Sequence, residues 1–368
     1  MLAARSSGLG RPSRVVLHLN RIRLTFLKSV CSTVISLRWI TSASRCDFFY
    51  GTDTGIVGAV LNSILARPIL SRSFPAARQR KGVRQPRCVQ RNLESLDHGP
   101  TLSLNQASTL RWSFEEDVVR YRLAGIDTMG VWLPKLLEYG EDRGLEWLSE
   151  NGMSVSTLSF AGGFTGAFGH ELDDVLEETL DLIHLAGMLR ARSLVVVTGP
   201  INNHITKHAT RLVVESLKQL ADEAADNDVT LSLMPMRKVF CQDWTFLHGL
   251  DETLALIDRV NHPAVQLAFD IYHLWPEKGL LQRLPELVSR IGVVQVSDAS
   301  PAGISEYDRV LPGEGILPVA EILSGLIDAG YRGYVDYQIW SESLWQSVDQ
   351  DWLQHCRQNF ADVRSVSR

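Results

Sequence analysis

The chain has 368 residues, of which 45% are hydrophobic and 21% are charged, and its formal net charge is −5. This composition excludes a disordered or fibrous protein, and the length allows one large globular domain or two ordinary ones. The charge is unevenly divided: residues 1–100 carry 16 Lys and Arg against 4 Asp and Glu, whereas the remaining residues carry 21 against 38. Two segments of different composition therefore meet near residue 100.

The first segment, residues 1–97, is basic and has no acidic residue before Asp47. This composition is typical of a mitochondrial transit segment, and equally of a disordered basic leader or an extension of the gene model. We therefore predict a cytoplasmic location, or a mitochondrial one if the leader directs import. The apolar run at 48–61 is far shorter than the roughly 20 residues of a membrane-spanning helix, so no membrane association is expected. The basic tract at 77–87 lacks interleaved aromatic residues and zinc-ligand spacing, so no nucleic-acid-binding module is predicted.

From residue 101 onward, short β-rich runs alternate with longer amphipathic helical patterns. The predicted strands are 101–106, 125–132, 153–160, 193–198, 229–234, 265–270, 291–298 and 334–339. The predicted helices are 114–123, 136–151, 171–191, 206–226, 250–260, 280–290, 319–329 and 343–360. Ser113 with Glu116 has the spacing of a capping box, and Gly152 and Gly330 stand where helices commonly end in glycine.

Eight β-then-α units predict a (β/α)8 TIM barrel domain over residues 98–360, with residues 361–368 as a tail. An open, doubly wound sheet is the main structural alternative. No G-x-G-x-x-G follows the first strand and no Walker motif is present, which disfavours that alternative. In a TIM barrel the chemistry lies where strands end and the following loops begin, so the candidate site residues are expected there.

Asp270 and His273 stand together at the end of the sixth predicted strand, in F-D-I-Y-H-L-W (269–275). A carboxylate at a strand end needs a cation or hydrogen-bond donors, so Asp270 is a candidate site residue. The adjacent histidine is a candidate catalytic residue, although a buried histidine bonded to the backbone is an equal alternative.

Arg309, in E-Y-D-R-V-L-P-G-E-G (306–315), follows the seventh predicted strand. Its guanidinium suits an anionic or polyhydroxyl ligand, whereas the alternative is a surface ion pair with Asp308 or Glu306. Tryptophans near strand ends either stack on a sugar ring or fill the core; these are Trp132, Trp275, Trp340 and Trp345. The glycine-rich loop at 161–170 is either a mobile lid or a plain flexible loop.

Six motifs occur in order in this part of the chain: L-S-L-N-Q (102–106), W-L-P-K-L-L-E-Y-G (132–140), F-D-I-Y-H-L-W, V-V-Q-V-S-D (293–298), D-R-V-L-P-G-E-G (308–315) and A-G-Y-R-G-Y-V-D-Y-Q-I-W (329–340). Together they resemble the xylose isomerase-like barrel family of sugar phosphate isomerases and epimerases, which also contains inosose dehydratases and 3-dehydroshikimate dehydratases. The resemblance implies a small carbohydrate-like substrate and allows a homo-oligomer. The expected substrate-binding residues are Asn105, Trp132, His273 and Arg309, and the last two are also the expected catalytic residues.

The resemblance also implies a divalent metal, Mg²⁺ or Mn²⁺, at the ends of strands five to eight. In the family the ligands are Glu, Asp, His or Gln, and Glu, and the two glutamates also move the substrate proton. The matching positions here hold Met234, Asp270, Gln295 and Gln338. Both proton-moving carboxylates are absent, and a thioether binds hard ions poorly. We therefore expect weak or absent metal binding, with Asp270 paired to Arg309 or His273 instead.

Asp336 lies two residues before Gln338 on the same strand, roughly 6.6 Å deeper in the barrel at ~3.3 Å per residue. It could supply a missing carboxylate only if the strand register shifted.

Three functions remain as hypotheses. The first is an isomerase or epimerase that acts on a small carbohydrate or polyol ketone by metal-assisted proton transfer. The second is a lyase of the 3-dehydroshikimate dehydratase type, which Gln295 favours because many isomerases have His at that position. The third is a non-catalytic carbohydrate-binding barrel, that is, a pseudoenzyme. Analogy of fold does not decide among them.

Overall fold

A computed structural model describes residues 99–166, 171–238, 244–304 and 307–365. The predicted leader, residues 1–97, lies outside these ranges, as do residues 167–170 of the glycine-rich loop. No helix within the described ranges is long and apolar enough to cross a membrane.

The strands are β1 (Thr101–Asn105), β2 (Thr128–Trp132), β3 (Ser154–Gly162), β4 (Ser193–Val197), β5 (Thr230–Leu233), β6 (Val265–Asp270), β7 (Ile291–Val296), β8 (Asp298–Ala299), β9 (Arg309–Val310) and β10 (Tyr334–Tyr337). All except β8 and β9 form one closed parallel barrel, in which β10 lies between β7 and β1. Strands β8 and β9 form a short antiparallel pair of their own. The predicted TIM barrel is confirmed, and the open sheet is excluded.

The helices are α1 (Phe114–Leu123), α2 (Leu133–Tyr139), α3 (Glu141–Glu150), α4 (Leu172–Leu189), α5 (Thr206–Asp226), α6 (Leu250–Val260), α7 (Ile271–Leu274), α8 (Leu280–Leu287), α9 (Val319–Asp328), α10 (Glu342–Ser347) and α11 (Gln350–Ser365). The capping box at α1 is present, since the Ser113 hydroxyl accepts from the Glu116 N–H at 3.1 Å. Gly152 and Gly330 both have positive φ, as a glycine after a helix end requires.

Two predicted helices are divided in the structure. The segment predicted at 136–151 breaks at Gly140, whose φ of 103° cannot continue a helix. The segment predicted at 343–360 breaks at Val348, where the backbone is extended. Helix α11 then continues to Ser365, five residues beyond the predicted end of the barrel domain.

Apolar side chains fill the layer between the barrel and its helices, and examples without exposed surface are Leu104, Val118, Tyr121, Leu136, Ile183 and Leu217. The barrel interior is more polar. The Ser103 hydroxyl is 2.6 Å from that of Ser156, and it also donates to Asp336 at 2.9 Å. Barrel interiors usually hold bulky aliphatic side chains, so this polar filling departs from the usual composition.

A buried ion pair joins α1 to α2 beside the ends of β1 and β2. Lys135 Nζ lies 2.6 Å from Asp117 Oδ2 and also donates to the Thr109 carbonyl at 2.7 Å. Gln106 donates to the same carboxylate at 2.8 Å and accepts the backbone N–H of Trp132 at 2.9 Å. Burial raises the pKa of Asp117, although Lys135 opposes the shift, and burial lowers the pKa of Lys135. Neither charge is tolerated here without the other.

We expect Asp117→Asn to lower the free energy of unfolding by about 3–5 kcal/mol, because Lys135 would remain buried and unpaired. Urea denaturation of the full chain would measure the change. Glu215→Gln is the matched control, because it removes a charge from an exposed pair with Arg211 and should cost less than about 1 kcal/mol. Asp117→Leu combined with Lys135→Met should cost less than Asp117→Asn alone, and a cost as small as the control's for Asp117→Asn would contradict the role of the pair.

Candidate functional site

Asp270 ends strand β6 and begins the short helix α7. Its Oδ1 accepts the backbone N–H of Tyr272 at 2.8 Å, which is the N-cap arrangement that Asp favours. Its Oδ2 has no hydrogen-bond partner among the described residues and lies 3.7 Å from both His273 Nε2 and Arg309 Nη1. Burial raises the pKa of Asp270 to about 6, against the lowering effect of Arg309. The local helix start therefore sets a desolvated carboxylate beside a histidine and a cation.

His273 lies between two nitrogen donors. Its Nδ1 is 3.4 Å from the backbone N of Arg237, and its Nε2 is 3.4 Å from Arg309 Nη2. A neutral imidazole accepts at only one nitrogen, so only one of these two contacts is a hydrogen bond in either tautomer. Burial lowers the pKa of His273 well below its usual value, and the charges of Arg309 and Arg237 lower it further. The ring is therefore neutral and only weakly basic.

Arg309 is held on strand β9 with only 4% of its surface exposed. Its guanidinium carbon lies 4.0 Å from the centre of the Tyr272 ring, and Nη1 donates to the Ser297 hydroxyl at 3.3 Å. Its Nε has no hydrogen-bond partner among the described residues. The ionic neighbour of Arg309 is thus Asp270 rather than Asp308. The other predicted surface partner, Glu306, lies outside the described ranges.

The position of Arg309 depends on Asp298, at the start of strand β8. The Asp298 carboxylate accepts backbone N–H groups of Gly313 at 2.9 Å, Gly315 at 3.2 Å and Leu317 at 2.9 Å. A Cβ at Gly315 would collide with this carboxylate and with backbone, so the turn needs glycine there. Asp298 belongs to the motif V-V-Q-V-S-D, but nothing in its spacing indicates that it holds the following loop.

A pocket of about 320 Å³, counted to its open mouth, lies at the carboxyl ends of the barrel strands. Its lining residues are Phe160, Met234, Met236, Trp244, His273, Tyr307, Arg309, Gln338 and Trp340. Four predicted site residues therefore share one pocket, and Asp270 lies behind two of them. Phe160, Trp244 and Tyr307 were not predicted, because an aromatic side chain that lines a pocket is no different in sequence from one in the core.

The aromatic residues form one side of this pocket. Trp132 meets Phe160 edge to face at 5.6 Å between ring centres, and Trp340 at 5.3 Å. Phe160 also meets Trp244 at 5.4 Å, and Tyr307 meets Trp340 at 6.2 Å. Trp132, predicted to bind substrate, is thus placed behind Phe160 and Trp340, which line the pocket themselves. Trp132 therefore packs behind the pocket wall and does not line the pocket.

Asn105, also predicted to bind substrate, forms its hydrogen bonds inside the barrel. Its amide nitrogen donates to Asp336 at 2.8 Å and its amide oxygen accepts a backbone N–H at 3.0 Å. Asp336 also accepts from Ser103 at 2.9 Å and Thr157 at 3.2 Å, and it pairs with Gln295 in an unshifted register. Burial raises the pKa of Asp336, and these donors, with Gln295 as the weakest, lower it. Neither Asn105 nor Asp336 lines the pocket, so Asp336 does not replace the missing carboxylates.

The four positions that correspond to metal ligands do not suit a hard divalent ion. They offer one carboxylate, from Asp270, with two amide groups, from Gln295 and Gln338, and the thioether of Met234. Both amides are buried; that of Gln295 makes at most a weak contact with Asp336, and that of Gln338 has no hydrogen-bond partner among the described residues. The Arg309 guanidinium, 3.7 Å from Asp270 Oδ2, already compensates the single negative charge. The described residues contain no group of three or more His, Cys, Asp or Glu that could hold a metal.

The chain is similar to known proteins in sequence and in fold. The family model described as xylose isomerase-like TIM barrel matches residues 120–357. An inosose isomerase of Bacillus licheniformis is 24% identical over 278 residues, covering 72% of this chain and 98% of the relative. An inosose dehydratase of Erwinia tasmaniensis is 26% identical over 153 residues, covering 36% of this chain and 48% of the relative. The solved structure of an IOLI protein with a bound zinc atom aligns with a TM-score of 0.64 at 19% identity, covering 73% and 99% of the two chains, which supports the same fold.

We expect Met234→Glu with Gln338→Glu to create a metal site, because two carboxylates would join Asp270. Two unit charges 4 Å apart attract by about 4 kcal/mol at an effective dielectric constant of 20, so Mn²⁺ should bind the double variant at least ~100-fold more tightly than the unmodified chain. Isothermal titration calorimetry would measure both affinities. Met236→Glu with Gln338→Glu is the control, since it adds the same charge to the same pocket at one position that is not a family ligand. Equal Mn²⁺ affinity of the unmodified chain and the first variant would show that the existing donors suffice.

We also expect the His273 ring to remain neutral throughout the range in which a free histidine, with a pKa of about 6.5, gains its proton. In NMR spectra its imidazole shifts should hardly move between about pH 8 and pH 6, with His273→Gln identifying the signals. Because the unfolded chain gains this proton first, the contribution of His273 to stability should decrease as the pH falls through about 6.5. A midpoint at or above 6.5 would mean that the ring is better solvated than the structure indicates.

Proposed function

This chain belongs to the xylose isomerase-like TIM barrel family, and from that premise we propose that its pocket binds a small carbohydrate or polyol ketone and retains single-base proton transfer. The observation that carries the proposal is that Met234, His273, Arg309 and Gln338 line one pocket at the barrel mouth. This is the end at which TIM barrel enzymes place their active sites. The names of the relatives, inosose isomerase and inosose dehydratase, support a polyol ketone as the ligand.

The composition of the pocket lining fits a carbohydrate-like ligand. Aromatic and Met side chains make up most of the lining, as apolar side chains do in small-molecule sites. Gln338 and Arg309 supply the hydrogen-bonding groups, and Gln338 can both donate and accept. Such a mixture of apolar faces and a few polar groups matches the two faces of a sugar ring.

The chemistry proposed for this site needs one base. His273 would take the proton from the carbon next to the substrate carbonyl, and the Arg309 guanidinium would stabilise the oxyanion that forms. Transfer of the hydroxyl proton from that carbon to the oxyanion, with return of the proton held by His273 to the former carbonyl carbon on the same face, would complete an isomerisation. Epimerisation requires a second base on the opposite face, and neither Met234 nor Gln338 can act as a general acid or base. The low pKa of His273 makes it a weak base, so turnover should be slow.

A second candidate uses the same groups for elimination of water. His273 removes the proton next to the carbonyl and delivers it to the hydroxyl on the adjacent carbon, which leaves as water. Gln295 favours this version, since the resemblance to 3-dehydroshikimate dehydratases rests on that residue. Both candidates are derived without a metal, because the donor set does not suit one.

Hydrogen–deuterium exchange would test proton transfer directly. The full chain would be incubated in D₂O with inosose, D-psicose or hydroxypyruvate, and deuterium uptake next to the carbonyl followed by NMR. We expect slow uptake from at least one compound, reduced at least ~100-fold in His273→Gln, which is the usual scale for loss of a general base. New ultraviolet absorbance with 3-dehydroshikimate would instead support the lyase.

Two other outcomes would count against this function. Binding of a sugar, detected by calorimetry, without exchange in any compound would identify a non-catalytic binding barrel. Exchange that persists unchanged in His273→Gln would place the base elsewhere.

A further inference from the structure

The pocket lining contains one acid–base group that the proposed function does not use. Among the described residues that line the pocket, only His273, Arg309 and Tyr307 carry a group that binds a proton reversibly or holds one as a cation. Arginine does not give up its proton in proteins, and the other lining residues are Gln, Met, Phe or Trp. Besides His273, Tyr307 is therefore the residue of this described lining that can exchange a proton with a ligand.

Tyr307 is fixed by the segment that follows β10. Its carbonyl accepts the N–H of Glu342 at 2.9 Å, and the next residue, Asp308, forms an antiparallel bridge with Ser341. The Tyr307 ring meets that of Trp340 at 6.2 Å between ring centres, with the two planes 65° apart. These contacts place Tyr307 on the side of the pocket that β10 forms.

His273 reaches the pocket from a different strand. It belongs to helix α7, directly after β6, and β7 lies between β6 and β10 in the barrel. The His273 ring packs edge to face on Tyr272 at 5.6 Å between ring centres. The two acid–base groups therefore approach from strands that are not neighbours, and a ligand bound in the pocket has access to both.

The two groups also differ in their contact with water. His273 is 3% exposed, whereas Tyr307 is half-buried. A phenol that donates its proton becomes a phenolate, and this charge costs less free energy where water reaches the side chain. Water can also return the proton afterwards. Tyr307 is thus placed where a proton donor can be restored by the solvent.

We propose that Tyr307 is a second catalytic residue, which donates its hydroxyl proton to the ligand from the face opposite His273. The proposal rests on the proposed function for the position of the ligand and for removal of the first proton. His273 takes the proton from the carbon next to the carbonyl, and the electron pair of that C–H bond forms the enolate. The enolate carbon then takes the proton of Tyr307, so that a new C–H bond forms on the other face. Water carries the proton of the imidazolium back to the phenolate, and the product is the epimer.

This arrangement differs from the pattern of the family. There, glutamates at the fifth and eighth barrel strands move the proton, and the corresponding positions here hold Met234 and Gln338. Tyr307 lies on the side of the eighth barrel strand, β10, but belongs to the loop after β7. A proton donor from another part of the chain would thus take the place of one of the two glutamates.

The partition between proton exchange and epimer formation tests this role. The full chain would be incubated in D₂O with D-psicose or inosose. NMR would follow deuterium in the remaining compound and the amount of its epimer at the exchanging carbon, which is D-fructose for exchange at C3 of D-psicose. For each compound that reacts, Tyr307→Phe should lower the ratio of epimer to exchanged compound at least ~100-fold, the usual scale for loss of an acid–base group.

Tyr307→Phe removes the hydroxyl group and keeps the ring that packs against Trp340. Tyr334→Phe is the matched control, because it makes the same change to a half-buried tyrosine at the amino end of β10, the opposite end of the barrel from the pocket. It should leave the ratio unchanged. His273→Gln should reduce exchange and epimer formation together, since both begin with the same proton removal.

An unchanged ratio in Tyr307→Phe would overturn the proposal for Tyr307 and leave the proposed function standing. Exchange without any epimer in the unmodified chain would do the same, because one base would then account for all proton transfer. An equal loss of exchange and epimer in Tyr307→Phe would also overturn it, since the hydroxyl would then act in ligand binding. Absence of exchange with every compound would contradict both this proposal and the proposed function.

Discussion

The contact between Asp270 and Arg309 is the constraint around which the barrel mouth is arranged. Each charge has lost nearly all its contact with water, and removing an ion from water costs several kcal/mol even after the protein relaxes. The 3.7 Å separation is too long for a hydrogen bond, so the pair does not recover that cost in full. Structures retain such arrangements where a ligand or a reaction uses them, and the position of this pair directly behind the pocket agrees with such a use.

Several local contacts hold the side chains of Asp270 and Arg309 close to each other. Asp270 is fixed because it caps α7, and the first turn of that helix also supplies Tyr272, on whose ring the guanidinium rests. The same turn carries His273, which is kept neutral by the cation next to it. Met234 and Gln338 stand where the family has carboxylates, so the barrel mouth carries less negative charge. Three carboxylates would bring a charge of −3 to this mouth, which attracts a divalent ion, whereas Asp270 alone is balanced by one arginine.

The fold could be read from the sequence because parallel barrel strands are buried on both faces and so appear as short apolar runs between helical patterns. All eight barrel strands lie within three residues of the predicted bounds. The approximate site was also predictable, since Asp270, His273 and Arg309 stand at strand ends or in the loops after them. The break at Gly140 could not be predicted, because glycine within a helical pattern is compatible with a continuous helix. The conformation there is decided by packing.

The contacts of the interior polar residues could not be predicted from the sequence. Asn105 stands at a strand end like Asp270, and sequence position alone does not distinguish them. Its role is set by Asp336, 231 residues away, to which it donates a hydrogen bond. Gly130 leaves the space that these side chains occupy, because a Cβ there would come within 3 Å of Asn105, Thr157 and Asp336. A contact of this kind depends on the closure of the barrel, which brings β10 beside β1, and no local pattern contains that information.

The Asp298 turn has a consequence for how this pocket can change. Arg309 is presented on a loop whose bend is fixed by one carboxylate and a set of backbone N–H groups. Backbone groups are common to all residue types, so most side chains of the loop can be exchanged while the guanidinium keeps its place. Asp308 and Val310, the half-buried neighbours of Arg309, are therefore free to diversify at little structural cost, whereas Leu311 is buried in the core. Arg309 thus keeps its position while neighbouring side chains of the loop change. New ligand specificities can therefore be selected without a change of fold.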